Sequence, residues 1–105
     1  MGKDKLRRFR ENLTFDCFVQ PEFDEVFHCD HPLKGRWRSD FFRNDNPIVL
    51  ELGCGKGEYT VALAEHDPSR NYIGIDIKGA RMWRGAKSVT ERKIANAGFL
   101  RTRVE

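Results

Sequence analysis

Ile48-Val49-Leu50-Glu51-Leu52-Gly53-Cys54-Gly55-Lys56-Gly57 sets an apolar run of strand length directly before a turn with three glycines. A nearly continuous run of this kind is what a parallel strand buried on both faces requires. Downstream, Glu58–His66 carries Val61, Ala62, Leu63 and Ala64 and reads as a helix, closed by Asp67-Pro68-Ser69. Tyr72-Ile73-Gly74-Ile75 reads as a second buried strand ending at Asp76. A longer helix is expected over about Ala80–Ala97, with Met82, Ala86, Val89 and Ala97 near one face and Gly98 as its cap. Phe99-Leu100-Arg101-Thr102-Arg103-Val104 opens a third strand. Strand and helix alternating in this way predict an α/β protein with a doubly wound, Rossmann-like parallel sheet. Three strands make about half of such a sheet, so the chain reads as a fragment of a longer protein.

Upstream of Asn44-Asp45-Asn46-Pro47, a cluster of turn formers, the pattern differs. Residues 1–46 are read as a basic and aromatic arm, and residues 47–105 as the first half of the sheet domain. A short basic helix is expected around Lys3–Glu11, then extended or irregular chain. Phe9, Phe15, Phe18, Phe23, Phe27, Trp37, Phe41 and Phe42 are scattered among charges, and they suit packing the arm onto a body better than stacking on bases. Net charge is only +3, but it is unevenly placed. Lys3, Lys5, Arg7, Arg8 and Arg10 crowd the start, residues 11–30 carry acids without Lys or Arg, and Lys78, Arg81, Arg84, Lys87, Arg92 and Lys93 form a later basic group. Such groups either neutralise phosphates or simply solvate exposed faces.

The bulk composition excludes several classes. With 105 residues, 39% of them hydrophobic, and a mean hydropathy of −0.65, there is room for one modest core. No apolar run approaches the roughly 18 residues of a membrane-spanning helix, so no membrane role is expected. Met1-Gly2-Lys3-Asp4-Lys5-Leu6 is neither a secretory signal nor, with Leu6 where Ser or Thr is needed, a myristoylation site. Three cysteines at irregular spacing argue against a disulfide framework and for a reducing, cytoplasmic setting. Cys17, His28, Cys29 and His31 lack the paired spacing of a structural zinc site, and no metal is expected.

The glycine turn has three possible ligand classes. A P-loop needs G-x-x-x-x-G-K-[ST], whereas here Lys56 stands between Gly55 and Gly57, which excludes it. A dinucleotide site prefers G-x-G-x-x-G, and its pyrophosphate would be repelled by the carboxylate of Glu51. A ligand without phosphate but with ammonium and sulfonium charges suits Glu51 better. Asp76, 23 residues after Gly53, is placed to accept hydrogen bonds from both hydroxyls of a nucleoside ribose. E-x-G-x-G-x-G with an acid closing the next strand resembles the first two motifs of class I S-adenosylmethionine-dependent methyltransferases.

The surrounding residues narrow the likeness. IVLELGCGKGEYTVALA (48–64), YIGIDIKGARMWRGAK (72–87) and FLRTRVE (99–105) resemble the bacterial tRNA guanine-N7 methyltransferases, and RFRENLTF (8–15) and PLKGRWRSDFFRNDNP (32–47) are similar to that family's N-terminal extension. The resemblance spans nearly all of this chain and only the first half of the family's length. It implies a partial class I methyltransferase fold that binds S-adenosylmethionine. Glu51, Gly53 and Gly55 would lie around the methionine portion, Asp76 at the ribose and Ile77 against the adenine. Glu105 would contact the adenine amine, although Arg103 occupies an alternative alignment position. It further implies methyl transfer to N7 of a guanine in tRNA, with Lys3, Lys5, Arg7, Arg8, Arg10, Arg81, Arg84 and Lys87 as candidate contacts to the RNA. The family's Phe-Pro-Asp-Pro-type motif does not occur in this sequence. The catalytic residues are therefore expected beyond residue 105, and the chain alone is expected to do no more than bind cofactor and tRNA backbone, without turnover. A methyltransferase for another substrate, and an RNA-binding module without activity, are the alternative readings.

Overall fold

The structure, a computed structural model, describes residues 2–21 and 35–102, with side chains from residue 4 onward. Its elements are α1 (Gly2–Asn12), β1 (Phe18–Val19), a π-helical turn (Trp37–Phe42), β2 (Ile48–Leu52), α2 (Glu58–His66), β3 (Asn71–Asp76), α3 (Gly79–Arg92) and β4 (Ala97–Arg101). The four strands form one parallel sheet in the order β1-β4-β3-β2. β3 is central and fully buried from Asn71 to Ile75, which accounts for the apolar run Tyr72–Ile75.

Two cores lie on the two faces of this sheet. One gathers Val61, Ala64, Tyr72, Met82, Ala86, Val89, Ala97 and Phe99 beneath α2 and α3, with Phe15 and Phe18 from the arm. The other joins Ile73, Ile75 and Phe42, with Trp37 and Phe41 of the π-helical turn and with Ile48 and Leu100. Pleating separates the sets: Ile73 and Ile75 turn to one face, Tyr72 and Gly74 to the other. Leu50 and Leu52, which pair in register with Ile73 and Ile75, remain 54% and 61% exposed on the free edge strand β2.

Three glycines converge on the fully buried ring of Phe99. A Cβ at Gly57, Gly74 or Gly85 would stand 2.5, 2.9 or 2.6 Å from that ring. Absent side chains thus let α3 and the glycine turn close on the sheet around one aromatic plug. Gly85 also lets α3 approach the turn's backbone, because its Cβ would lie 2.9 Å from the carbonyl oxygen of Lys56.

The strand and helix series matches the reading, but the boundaries of α3 and β4 shift, and β2, expected to be buried on both faces, is an edge strand that leaves Leu50 and Leu52 exposed. The expected helix to Ala97 stops at Arg92, where Lys93 turns left-handed (φ 54°) and its N–H is donated to the carbonyls of Thr90 and Val89. Asn96 then fixes the turn by donating from Nδ2 to the carbonyls of Ala64, Asp67 and Arg70 at 2.9, 3.1 and 2.9 Å. Gly98 is consequently not a cap but a strand residue, and a Cβ there would meet the ring of Phe41 at 2.6 Å. The arm carries more regular structure than an irregular segment. The basic helix forms, and Phe18–Val19 pairs with Phe99–Leu100 as a fourth parallel strand. Phe15, Phe18 and Phe42 are buried as packing residues, whereas Phe23 and Phe27 lie outside the described residues. Among the described residues no helix is long and apolar enough to cross a membrane.

Candidate functional site

The carboxyl ends of parallel strands, where backbone leaves the sheet, are the usual ligand-facing edge of such folds. Here β2 and β3 deliver Glu51 and Asp76 to that edge on neighbouring strands. Gly53, Gly55 and Gly57 all adopt positive φ, at 71°, 57° and 76°. A side chain in that region costs roughly 1–2 kcal/mol, so glycine shapes the turn. Gly53 and Cys54 both donate their amides to the carbonyl of Ile75, at 2.7 and 3.1 Å, which ties the turn to the end of β3. The space beside Gly53 is open, and beside Gly55 only the guanidinium of Arg81 approaches, at 3.8 Å from where a Cβ would stand.

Asp76 organises the loop after β3. One carboxylate oxygen accepts from the Gly55 amide at 2.9 Å; the other accepts from the amides of Ile77 and Lys78 at 2.7 and 3.3 Å. Desolvation works to raise its pKa, but the amides of Gly55, Lys78 and Ile77 and the charge of Arg81 outweigh it, and the carboxyl titrates below its ordinary value. Each oxygen keeps lone-pair capacity for a further donor. Glu51, half-buried, accepts a 2.6 Å hydrogen bond from the hydroxyl of Thr60, itself buried on α2. Cys54 is desolvated and flanked by the charges of Asp76 and Glu51, and its thiol is pushed up to about 12. A thiol so protonated is no nucleophile. Ile77 exposes an apolar side chain beside these groups.

Glu51, Gly53, Gly55, Asp76 and Ile77 therefore meet at one edge of the sheet. Glu105, and Arg103 with it, lie outside the described residues. The basic candidates do not form one surface. Lys5, Arg8 and Arg81 line a common cleft with Lys78 and Arg101. Arg84 leans toward Glu58 of α2 at 4.0 Å, and Lys87 pairs with Glu11 of α1 at 3.3 Å, so their regular spacing on α3 does not bring them together. Arg7 spans Asp4 and Glu11 at 3.9 and 4.0 Å, and Arg10 is exposed. The side chain of Lys3 lies outside the described ones. Trp83 packs against the arm: its indole N–H donates to Glu11 at 2.7 Å, and Arg8 and Lys87 lie over its ring at 4.6 and 4.9 Å. Cys17 sits on the arm and donates to the carbonyl of Ala86; His28, Cys29 and His31 lie outside the described residues. No group of three or more His, Cys, Asp or Glu able to hold a metal occurs among the described residues.

Three supporting residues carry no local sequence signal. Asn12, fully buried, donates from Nδ2 to the carbonyl of Gly79 at 2.9 Å. Arg101 donates from Nε to the carbonyl of Ile77 at 3.0 Å. Together they pin the loop after Asp76 from two directions. Thr60 orients Glu51 across the turn. Asn12 and Arg101 reach their partners over 67 and 24 residues, beyond any motif.

Comparison with known proteins is decisive for the family. Residues 45–103, a stretch that contains β2 to β4, match the family described as "Putative methyltransferase". The chain belongs to this methyltransferase family. Among its relatives is the tRNA (guanine-N(7)-)-methyltransferase of Christiangramia forsetii, 57% identical over 99% of this chain and 46% of the relative. A second, of the same name, from Bacteroides fragilis, is 47% identical over 100% of this chain and 42% of the relative. The Porphyromonas gingivalis protein of that name is 64% identical over 70% of this chain and 30% of its own length. The chain thus spans less than half the length of these relatives. The match covers the whole glycine-turn and acid-loop geometry of this methyltransferase-family chain, and with Christiangramia forsetii and Bacteroides fragilis it extends over the arm.

Proposed function

We propose that these 105 residues supply the cofactor-binding part of a tRNA (guanine-N7-)-methyltransferase, with residues 47–105 forming the S-adenosylmethionine site and residues 1–46 an arm that meets the RNA. The observation that carries the proposal is the pairing of the open glycine turn with Asp76 one strand away, in a chain whose relatives bear that enzyme's name. The residues fit the cofactor. Gly53 and Gly55 leave main chain bare of side chains, Asp76 retains acceptor capacity for ribose hydroxyls, Ile77 offers an apolar face to adenine, and Glu51 lends negative charge where ammonium and sulfonium would lie. Glu105 is assigned to the adenine amine. No metal is required.

Bound there, S-adenosylmethionine supplies a methyl group activated by the positive sulfur. Guanine N7 has a lone pair and no proton, so no base is needed before attack. What the protein must do is orient the donor. The Asp76 loop, pinned by Asn12 and Arg101, fixes the nucleoside end, and the turn fixes the amino-acid end, which leaves the alignment of methyl and N7 as the main source of acceleration. The negative charge of Glu51 and Asp76 also favours the cation over neutral competitors. A tRNA substrate places this work in the cytoplasm. The test is formation of 7-methylguanosine, read by nucleoside mass spectrometry, when unmodified tRNA is incubated with S-adenosylmethionine and the complete protein. Loss of the product on Asp76→Asn is expected. Methylation of a different base, or of a small molecule in place of tRNA, would reject the assignment.

A further inference from the structure

Beside the acid loop lies a cleft of about 700 Å³ lined by α1, the start of α3 and the end of β4. Ile77, Lys78 and Arg81, which follow Asp76 in the chain, border it. Its walls carry Lys5, Arg8, Lys78, Arg81 and Arg101 against one acid, Asp4. None of the five cations makes an ion pair within 4 Å among the described residues, and Asp4 is turned to Arg7 instead.

Aromatic rings hold this charge in place. Arg101 and Lys5 lie 5.9 and 6.0 Å from the ring centre of Phe9, and Arg8 lies 4.6 Å from that of Trp83. Such contacts keep cations oriented and, apart from the Arg101 Nε–H given to the Ile77 carbonyl, leave side-chain N–H donors for an anion. Gly79 makes the assembly possible, because a Cβ there would stand 3.0 Å from Arg101 Cδ and 3.3 Å from Phe9. The cleft also receives the amino end of α3, which has no side-chain cap and no acid in its first turn. The amides of Gly79 and Ala80 have no acceptor among the described residues, and they add the positive end of the helix dipole to the five side chains.

We propose that this cleft binds a phosphodiester of the substrate RNA, gripped by Lys5, Arg8, Lys78, Arg81 and Arg101, with the adjoining sugar against Phe9 and Ala80. The proposal rests on the tRNA reading above and deepens it. It selects Lys5, Arg8 and Arg81 from the wider basic set, adds Lys78 and Arg101, and leaves Arg84 and Lys87 to their partners on α2 and α1. A phosphate here lies next to the loop that carries Asp76, so RNA docking and cofactor binding would share one rigid support.

The test measures binding of labelled unmodified tRNA by fluorescence anisotropy over a series of salt concentrations. It compares wild-type protein with Lys5→Gln/Lys78→Gln and with a control, Arg38→Gln/Lys93→Gln, whose charges lie elsewhere. The cleft variant is expected to bind tRNA roughly five- to twentyfold more weakly at low salt, and its salt slope is expected to fall by about two. The control should stay within about twofold of wild type. S-adenosylhomocysteine affinity should be unchanged in both. A cleft variant that binds tRNA like the control overturns the cleft assignment and leaves the methyltransferase reading standing. Wild-type protein that binds S-adenosylhomocysteine but not tRNA overturns it equally. If inorganic phosphate at matched ionic strength binds wild type alone, yet tRNA affinity is the same in all three proteins, the cleft is a small-anion site and the RNA assignment falls.

Discussion

Gly85→Ala puts the packing account to a test of sign. Gly85 is in the interior of the 14-residue helix α3, where alanine is favoured over glycine by about 1 kcal/mol on helix propensity alone. Packing argues the other way. The new Cβ would lie 2.6 Å from Phe99 Cζ, 2.9 Å from the Lys56 carbonyl oxygen and 3.1 Å from Gly57 Cα. Carbon pairs prefer about 3.5–4.0 Å, so the ring would have to withdraw by about 1 Å. Phe99 is fully buried and already wedged against Gly57 and Gly74, and the other two contacts are backbone. Because backbone cannot give way as a side chain can, the helix must lift from the sheet, at about 2–3 kcal/mol, the upper part of the range typical of overpacking. Set against the propensity gain, the expected result is a net loss of about 1–2 kcal/mol, read as a fall of roughly 5–10 °C in Tm by circular dichroism. Phe99→Leu in the same background should recover part of the loss, with a coupling of at least about 0.5 kcal/mol in the double-mutant cycle. A Gly85→Ala protein as stable as wild type or more so would refute the convergence of three glycines on Phe99.

Other perturbations follow from the same contacts. Asn12→Ala removes the buried donor to the Gly79 carbonyl, and a loss of about 1–3 kcal/mol is expected in urea denaturation; no loss would mean that α1 does not latch the acid loop. Stability should fall in acid. Glu11, Asp67 and Asp76 each titrate below their ordinary values, so the stability they contribute is complete above those values, near pH 4, and disappears as pH drops through the lowered ones. For Glu11 the main cause is the indole N–H of Trp83, and for Asp67 the hydroxyl of Ser69 followed by that of Tyr72. Urea midpoints compared at pH 7 and pH 3 should show the fall, and Glu11→Gln should make it shallower; an unchanged slope would contradict the assignment.

Local pattern revealed the sheet because each of its cues is short-range. The apolar runs of β2 and β3, the helix Glu58–His66 and the glycines of the turn all sit where those residues alone suggested. Boundaries set by distant contacts were not readable. Helix α3 stops at Arg92 because Asn96 gathers carbonyls from the α2–β3 connection, and Gly98 serves Phe41 rather than a helix end. β1 carries no local cue for the same reason: two residues have no periodicity, and Phe18–Val19 becomes a strand only by pairing with β4. At the candidate site, Glu51, Gly53, Gly55 and Asp76 were visible because turn and acid lie in consecutive units. Their supports were not, since Asn12 and Arg101 come from opposite ends of the chain. The basic residues show the limit of counting charge. Arg81, Arg84 and Lys87 share a helix spacing, yet each turns to a different neighbour.

Whether the glycine turn and Asp76 form an S-adenosylmethionine site is decided by calorimetric titration with S-adenosylhomocysteine on wild type and Asp76→Asn, both checked for folding by circular dichroism. Saturable binding by wild type, weakened by about 1–3 kcal/mol in the folded variant, is the predicted result. Equal binding by the two proteins, or none by folded wild type, would contradict it.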